Sequence, residues 1–166
     1  MDYQILVLED DFDRSFFDCG EESLNNYIKR IVGQDRRRNL ALCFALVDQD
    51  NIVKGYFTLS NASISKENIP KTISKRKIGT YKDLPVTLLG RLAIDNSVKG
   101  KGYGEILLMD ALRRCFDISQ RGAGSMSVIV DPLNKKATDF YKKYGFIELT
   151  DSKRMFLMMD TIGELF

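Results

Sequence analysis

Histidine is missing from all 166 residues. That excludes Ser-His-Asp and Cys-His nucleophile systems, HExxH metalloenzymes and histidine-ligated haem. Proton transfer must therefore use Tyr, Glu, Asp, Lys, Cys or water. Cysteine is scarce and odd in number: Cys19, Cys43 and Cys115 stand without C-x-x-C spacing. We expect reduced thiols, a cytoplasmic location and no metal site. No apolar run approaches the roughly 20 residues that cross a bilayer, so no membrane partner is expected. The opening "MDYQILVLEDDFD" is acidic and lacks the basic start of a signal peptide. A strong charge of one sign is also lacking. The net charge is +2 and the isoelectric point about 8.4, below the value of roughly 9 typical of a dedicated nucleic-acid binder. Binding to a polyanion would have to come from local patches.

The composition, 44% hydrophobic and 29% charged, is that of a folded globular chain. The length suits one domain spanning residues 1–166, and no repeat, linker or low-complexity segment divides it. "YQILVLE" reads as a strand. In "DCGEESLNNYIKRIVGQDRRR", Leu24, Tyr27, Ile28 and Ile31 recur at helical spacing. Two strand-like runs follow, joined by the polar turn Asp48–Asn51, and predict a hairpin. From Asn61 to Asp83 lies a polar insert without clear periodicity, carrying six basic and two acidic residues. "VTLLGRLAID" reads as a central strand. The next helix places Leu108, Leu112 and Cys115 on one face, and "SMSVIVDP" is a strand stopped by Pro132. "NKKATDFYKKYGF" is a short amphipathic helix ended by Gly145, and "IELT" with "RMFLMMD" closes the sheet. The order predicts an α/β fold, a mixed sheet with helices on its faces.

Two stretches carry the chemistry. The first is "KGKGYG", Lys99–Gly104, between the central strand and a long helix. It can be a plain turn. It can equally be an anion cradle, because glycines let backbone N–H groups face outward at a helix N-terminus, and Lys99 and Lys101 add charge. Neither a P-loop nor G-x-G-x-x-G is present. The second stretch is "NKKATDFYKKYGF", whose inward positions are Ala137, Phe140, Tyr141 and Tyr144. It follows the strand after the glycine-rich helix. Both helix N-termini should therefore meet at one sheet edge, with Asn134 and Tyr141 near the cradle.

Together the stretches resemble the GCN5-related N-acetyltransferase (GNAT) family. Lys99-x-x-Gly102-x-Gly104 is similar to the acyl-CoA signature R/Q-x-x-G-x-G/A, with Lys in place of Arg or Gln. Asn134, Ala137, Phe140, Tyr141, Gly145 and Phe146 match a second signature, and the element order matches throughout. The resemblance implies a GNAT fold with splayed strands forming an acyl-CoA cleft, and acetyl-CoA as co-substrate without a metal. It implies contacts to acetyl-CoA from Leu92, Ala93 and Ile94, from Lys99, Gly100, Lys101, Gly102, Tyr103 and Gly104, and from Asn134 and Phe140. Tyr141 would protonate the departing thiolate, with Tyr144 as the competitor. Ordinary thiol and phenol pKa values, about 8.5 and 10, would leave that transfer close to balanced.

A narrower resemblance rests on "FFDCGEESLNNYIKR", on "GRLAID" and on the basic insert between them. These are similar to TacT-type toxins, GNAT enzymes that acetylate aminoacyl-tRNA beside a ribbon-helix-helix antitoxin. The central strand carries no acid where many GNAT enzymes place a Glu. An α-amino group, with a pKa near 7.7–8.0, needs a base less than a lysine amine does. Arg30, Arg36, Arg37 and Arg38 at one helix end, with Lys75, Arg76 and Lys77 in the insert, would contact tRNA phosphates; alternatively they are solvated charge. A homodimer is a further expectation. Two other functions stay open: acetylation of a small-molecule or protein N-terminal amine, and a non-catalytic CoA-binding regulatory domain.

Overall fold

The structure, a computed structural model, describes residues 2–73, 78–150 and 152–166. Seven strands lie in one sheet: β1 (Gln4–Val7), β2 (Leu42–Val47), β3 (Val53–Ser65), β4 (Asp83–Ile94), β5 (Ser127–Val130), β6 (Ile147–Glu148) and β7 (Met155–Met158). Their spatial order is β1-β2-β3-β4-β5-β7-β6. Pairing is antiparallel for β1–β2, β2–β3, β5–β7 and β6–β7, and parallel for β4–β5. A parallel neighbour cannot be reached by a tight turn, and the long helix between β4 and β5 supplies the crossover. This is the mixed α/β fold that the element order predicts.

The helices are α1 (Glu22–Asn26), α2 (Val32–Arg37), α3 (Tyr103–Arg121), α4 (Lys135–Lys143) and α5 (Met159–Gly163). The expected single helix over residues 21–38 is broken by a π-helical turn, Tyr27–Ile31, between α1 and α2. Apolar spacing alone does not resolve i→i+4 from i→i+5 bonding, so the sequence shows a helix and no interruption. The strand β3 runs to Ser65, one residue past the strand-like run "IVKGYFTLSNASI", and takes up the start of the polar insert. Its end alternates polar Asn61, Ser63 and Ser65 with Ala62 and Ile64, a strand with one dry face.

Contacts group the chain into two compact units. The first holds residues 1–60 and 90–111, the second residues 61–89 and 112–166. In the first, Phe17, Tyr27, Ile28, Val32, Ala45, Tyr56 and Ala93 share one core. Strand alternation puts Ala93 on the face covered by α1 and α2. Ile94 points to the other face. An added Cβ at Gly55 would lie 2.9 Å from Ile94 Cδ1 and 3.0 Å from Leu107 Cδ1. Gly55 thus lets α3 settle closely on β3 and β4. In the second unit, Ile64, Leu84, Val86, Ile129, Leu149 and Phe156 form a separate core. Leu112 and Cys115 of this unit and Leu108 of the first are fully buried, as their shared helical face requires.

Candidate active site

The first unit holds the glycine-rich junction. Gly100 has φ +76° and Gly102 has φ +85°. A Cβ at either would meet nothing within 4 Å. The left-handed backbone alone favours glycine there, since no neighbouring protein atom crowds either position. The first intrahelical bond of α3 runs from Ile106 N–H to the Gly102 carbonyl, 3.2 Å. From Gly100 to Glu105 no backbone N–H has an acceptor among the described residues. A row of unpaired donors at the positive end of a 19-residue helix is an anion-binding surface. It suits the pyrophosphate of acetyl-CoA.

The two lysines of the cradle differ. Lys101 is exposed and has no side-chain partner among the described residues. Lys99 donates its ammonium to the Cys19 carbonyl, so it fastens the cradle to the loop before α1. Asp95 does the same from the end of β4. Its Oδ1 accepts from Asp18 N–H at 2.9 Å, and its Oδ2 accepts from Ser97 N–H at 3.0 Å and from the Ser97 hydroxyl. Burial alone would raise the Asp95 pKa. The Ser97 hydroxyl, the two backbone N–H groups and nearby Lys54 outweigh it and hold the carboxyl below its ordinary value. A carboxylate so occupied anchors the loop and is a poor proton acceptor. Tyr103 opens α3 with its ring 4.9 Å from that of Tyr3, edge to face.

The ladder between β4 and β5 covers Thr87–Leu89 and ends at Leu89↔Val130. The strand β4 itself continues to Ile94, so Leu92, Ala93 and Ile94 lie past the paired stretch. On the face of β4 shared with Ala93, Arg91 lays its guanidinium 3.5 Å from the centroid of the Tyr27 ring. Tyr27 is buried at 2% exposure and donates its hydroxyl to Asp35 Oδ2, 2.9 Å away. Sequence reasoning passed over Arg91. A single cation inside "LLGRLAI" was the signal that could have singled it out.

Of the basic residues at the end of this helical segment, Arg30 donates to Asn26 Oδ1, 2.9 Å away. Arg36 donates to the Leu8 carbonyl and lies 3.9 Å from Glu9 Oε2. Arg36 therefore ties α2 to the end of β1, a role that charge patterning does not reveal. Arg37 and Arg38 are exposed. Lys75, Arg76 and Lys77 lie outside the described residues.

The second unit contains α4. Asn134 is its N-cap, accepting the Ala137 N–H at 2.9 Å. The carbonyl of this expected CoA contact therefore holds the helix start. At the other end Gly145 takes φ +94°, and Phe146 N–H returns to the Tyr141 carbonyl at 3.2 Å. Tyr141 is buried between Phe140 and Phe146, with ring centroids 5.3 Å and 5.2 Å away. Burial is the only influence on its hydroxyl, and no hydrogen-bond partner occurs among the described residues. Burial pushes its pKa well above the ordinary phenol value, so it is a neutral O–H donor throughout the working pH range. The expected near-balance with a thiol shifts accordingly, although a thiolate held in equally dry surroundings rises in the same direction. Tyr144 is only half-buried and packs its ring 5.1 Å from Phe140.

Burial raises all three thiols, Cys43 and Cys115 to about 12. None is a nucleophile at neutral pH. No group of three or more acidic or cysteine side chains that could hold a metal occurs among the described residues. No described helix is long and apolar enough to cross a membrane.

Comparison with known proteins completes the picture. Residues 6–146 match the model of the acetyltransferase (GNAT) family. The chain is similar to the tRNA-acetylating toxin of Mycobacterium tuberculosis, with 29% identity over 153 residues, 92% of this chain and 89% of that one. Among solved structures it resembles a tyrosine-to-phenylalanine mutant of KacT, with TM-score 0.92, 34% identity and 100% of both chains covered. It likewise resembles AtaT complexed with acetyl-methionyl-tRNAfMet, with TM-score 0.90, 34% identity and 99% of both chains covered.

Proposed function

The chain belongs to the GNAT acetyltransferase family, and from that premise we propose that it moves acetyl from acetyl-CoA to the α-amino group of an aminoacyl-tRNA, as a translation-blocking toxin. The observation that carries the acceptor is the likeness to AtaT solved with acetyl-methionyl-tRNAfMet, which extends over 99% of both chains. The absence of histidine, and of any acid in β4 between Asp83 and Asp95, supports it. A site without a strong base suits an amine that is already partly neutral at pH 7. Three elements, β3, β4 and α3, pass through both compact units, which supports reading residues 1–166 as one catalytic domain.

The proposed chemistry takes its residue roles from the family resemblance. The donor row from Gly100 to Glu105, with Lys101, receives the pyrophosphate. Tyr103, at the mouth of the cradle, and Phe140 complete the expected acyl-CoA contacts. The backbone at Leu92, Ala93 and Ile94 binds the pantetheine arm and polarises the acetyl carbonyl. The amine nitrogen attacks that carbonyl, a C–N bond forms and the C–S bond breaks. The departing thiolate takes the Tyr141 phenol proton, and the proton of the new ammonium leaves to water. The phenolate recovers its proton from solvent. The solved relatives include AtaT bound to the C-terminus of its antitoxin AtaR, and a KacTA–DNA complex. We extend a cognate antitoxin partner and a cytoplasmic place of action to this chain on that basis.

The test is direct. Radiolabelled acetyl from acetyl-CoA should appear on aminoacyl-tRNA and not on the same tRNA after deacylation. If spermidine or a peptide N-terminus outcompetes aminoacyl-tRNA at equal concentration, the acceptor is a small or protein amine. If no acceptor turns over while acetyl-CoA still binds, the chain is a CoA-binding regulator.

A further inference from the structure

Arg91 is a cation in an unusual position. It sits on a sheet strand, half-buried, on the face that α1 and α2 cover. None of its N–H groups has a hydrogen-bond or ion-pair partner among the described residues. Its guanidinium lies over the face of Tyr27, 3.5 Å from the ring centroid. Tyr27 belongs to the π-helical turn Tyr27–Ile31, and such a turn inside an α-helix often marks a functional position. The Tyr27 hydroxyl donates to Asp35 Oδ2 at 2.9 Å, which fixes the tilt of the ring under the guanidinium. The ring is itself fixed, because Tyr56 stacks on it at 6.1 Å and donates its own hydroxyl to the Leu24 carbonyl at 2.8 Å. The arrangement holds a planar fork of donors in one orientation, with no hydrogen-bond acceptor among the described residues. A guanidinium stacked on an aromatic ring matches a phosphate with two parallel N–H bonds.

Resting on the acceptor reading above, we propose that Arg91, oriented by Tyr27, binds the phosphodiester that joins the terminal nucleoside of the acceptor to the rest of the tRNA. Arg91 lies two residues before Ala93 on the same strand face, about 7 Å along the strand. The α-amine and that phosphodiester are separated by an ester and one ribose, a span of the same order. Arg91 is then a specificity determinant. It distinguishes an aminoacyl-tRNA end from an amine without phosphate and takes no part in the bond changes.

The experiment compares wild type, Arg91→Gln and Arg91→Lys on two acceptors, aminoacyl-tRNA and an aminoacyl-adenosine without phosphate. Calorimetric acetyl-CoA affinity and thermal unfolding report folding. With aminoacyl-tRNA, Arg91→Gln should raise KM roughly tenfold or more with kcat little changed. It should also make the salt dependence shallower by about 0.7 in log–log slope, one single-strand phosphate contact. Arg91→Lys should keep the slope and recover KM only in part. With aminoacyl-adenosine neither variant should alter kcat/KM. A purely structural role for the stack would lower the melting temperature and leave the salt slope alone, which would overturn the proposal. If Arg91→Gln does not fold, Arg91→Lys decides: equal KM values for Lys and Arg on aminoacyl-tRNA would overturn it. If wild type fails to acetylate aminoacyl-tRNA, the acceptor reading falls and this inference with it. If wild type acetylates it and the variants match wild type, only this inference falls.

Discussion

Tyr141 and Tyr144 are three residues apart on and just after one short helix, and only their surroundings separate them. Tyr141 is 8% exposed and enclosed by Phe140 and Phe146, with no partner for its hydroxyl among the described residues. Tyr144 sits half-buried just past the helix end, with Lys143 Nζ 5.5 Å from its ring centroid. A dry phenol stays protonated until a strong base forms beside it, and a departing thiolate is such a base. Tyr141→Phe should therefore lower kcat by about 10²–10⁴-fold and change acetyl-CoA affinity little, measured by steady-state kinetics and calorimetry. Tyr144→Phe should cost far less. The reverse order would move the acid to Tyr144. Motif position pointed to Tyr141, whereas the burial that keeps it neutral comes from packing. Lys99 shows the opposite case. Its place in the signature suggested a phosphate contact, and only the fold places its ammonium on the Cys19 carbonyl.

At the level of elements, the junction from β4 into α3 is where local sequence and local structure agree most closely. Three glycines in "KGKGYG" announced a backbone that side chains would obstruct, and two of them adopt positive φ in open space. Gly102→Asp should leave the fold intact, because a Cβ there meets no protein atom within 4 Å. The strain of a left-handed residue costs about 1–2 kcal/mol, a fall of roughly 2–4 °C in melting temperature per kcal/mol for a chain of this size. Acetyl-CoA binding should nonetheless become undetectable by calorimetry, since the carboxylate would face the pyrophosphate across the donor row. Tight binding by a folded Gly102→Asp protein would make the junction a plain turn. The helical segment before β2 was less legible. Its apolar spacing announced a helix, but the π turn carries Tyr27, whose partners Tyr56 and Arg91 lie outside any window of 11–18 residues.

For the whole molecule, the lack of histidine governs pH behaviour. All three thiols are pushed up by burial, so no side chain of the usual neutral-range kind titrates between about pH 5 and 8. Stability should be flat there. Asp95 is held below its ordinary pKa in the folded state. Its contribution is therefore complete above the unfolded value near 3.9 and is lost as pH falls through the lower folded value. Thermal unfolding followed against pH should show the loss only below about pH 4, and Asp95→Asn should flatten that acid limb. Catalysis should follow the acceptor instead. With saturating acetyl-CoA, kcat/KM for aminoacyl-tRNA should rise with pH through the pKa of its amine and then level. Replacing the amino acid by one with a less basic amine should move the midpoint down. A midpoint that stays fixed would reveal a titrating base in the protein.

The sequence by itself determined the order of the seven strands, the hairpin, the buried face of α3 and the left-handed glycines that precede it. Each of these is written in local chemistry: a two- or 3.6-residue period, a backbone only glycine adopts, a cap or a stop within a few residues. Tertiary structure alone decided which charges are free. Lys99, Asp95 and Arg36 look like available ionic groups in the chain, and each is taken up by a backbone group distant in sequence. Arg91 looks like an interruption in an apolar strand, and the fold lays it over Tyr27 with no hydrogen-bond acceptor among the described residues. Whether a charge is spent or available depends on which carbonyls and rings folding brings to it, and those partners lie from 28 to 80 residues away for the three hydrogen-bonded groups.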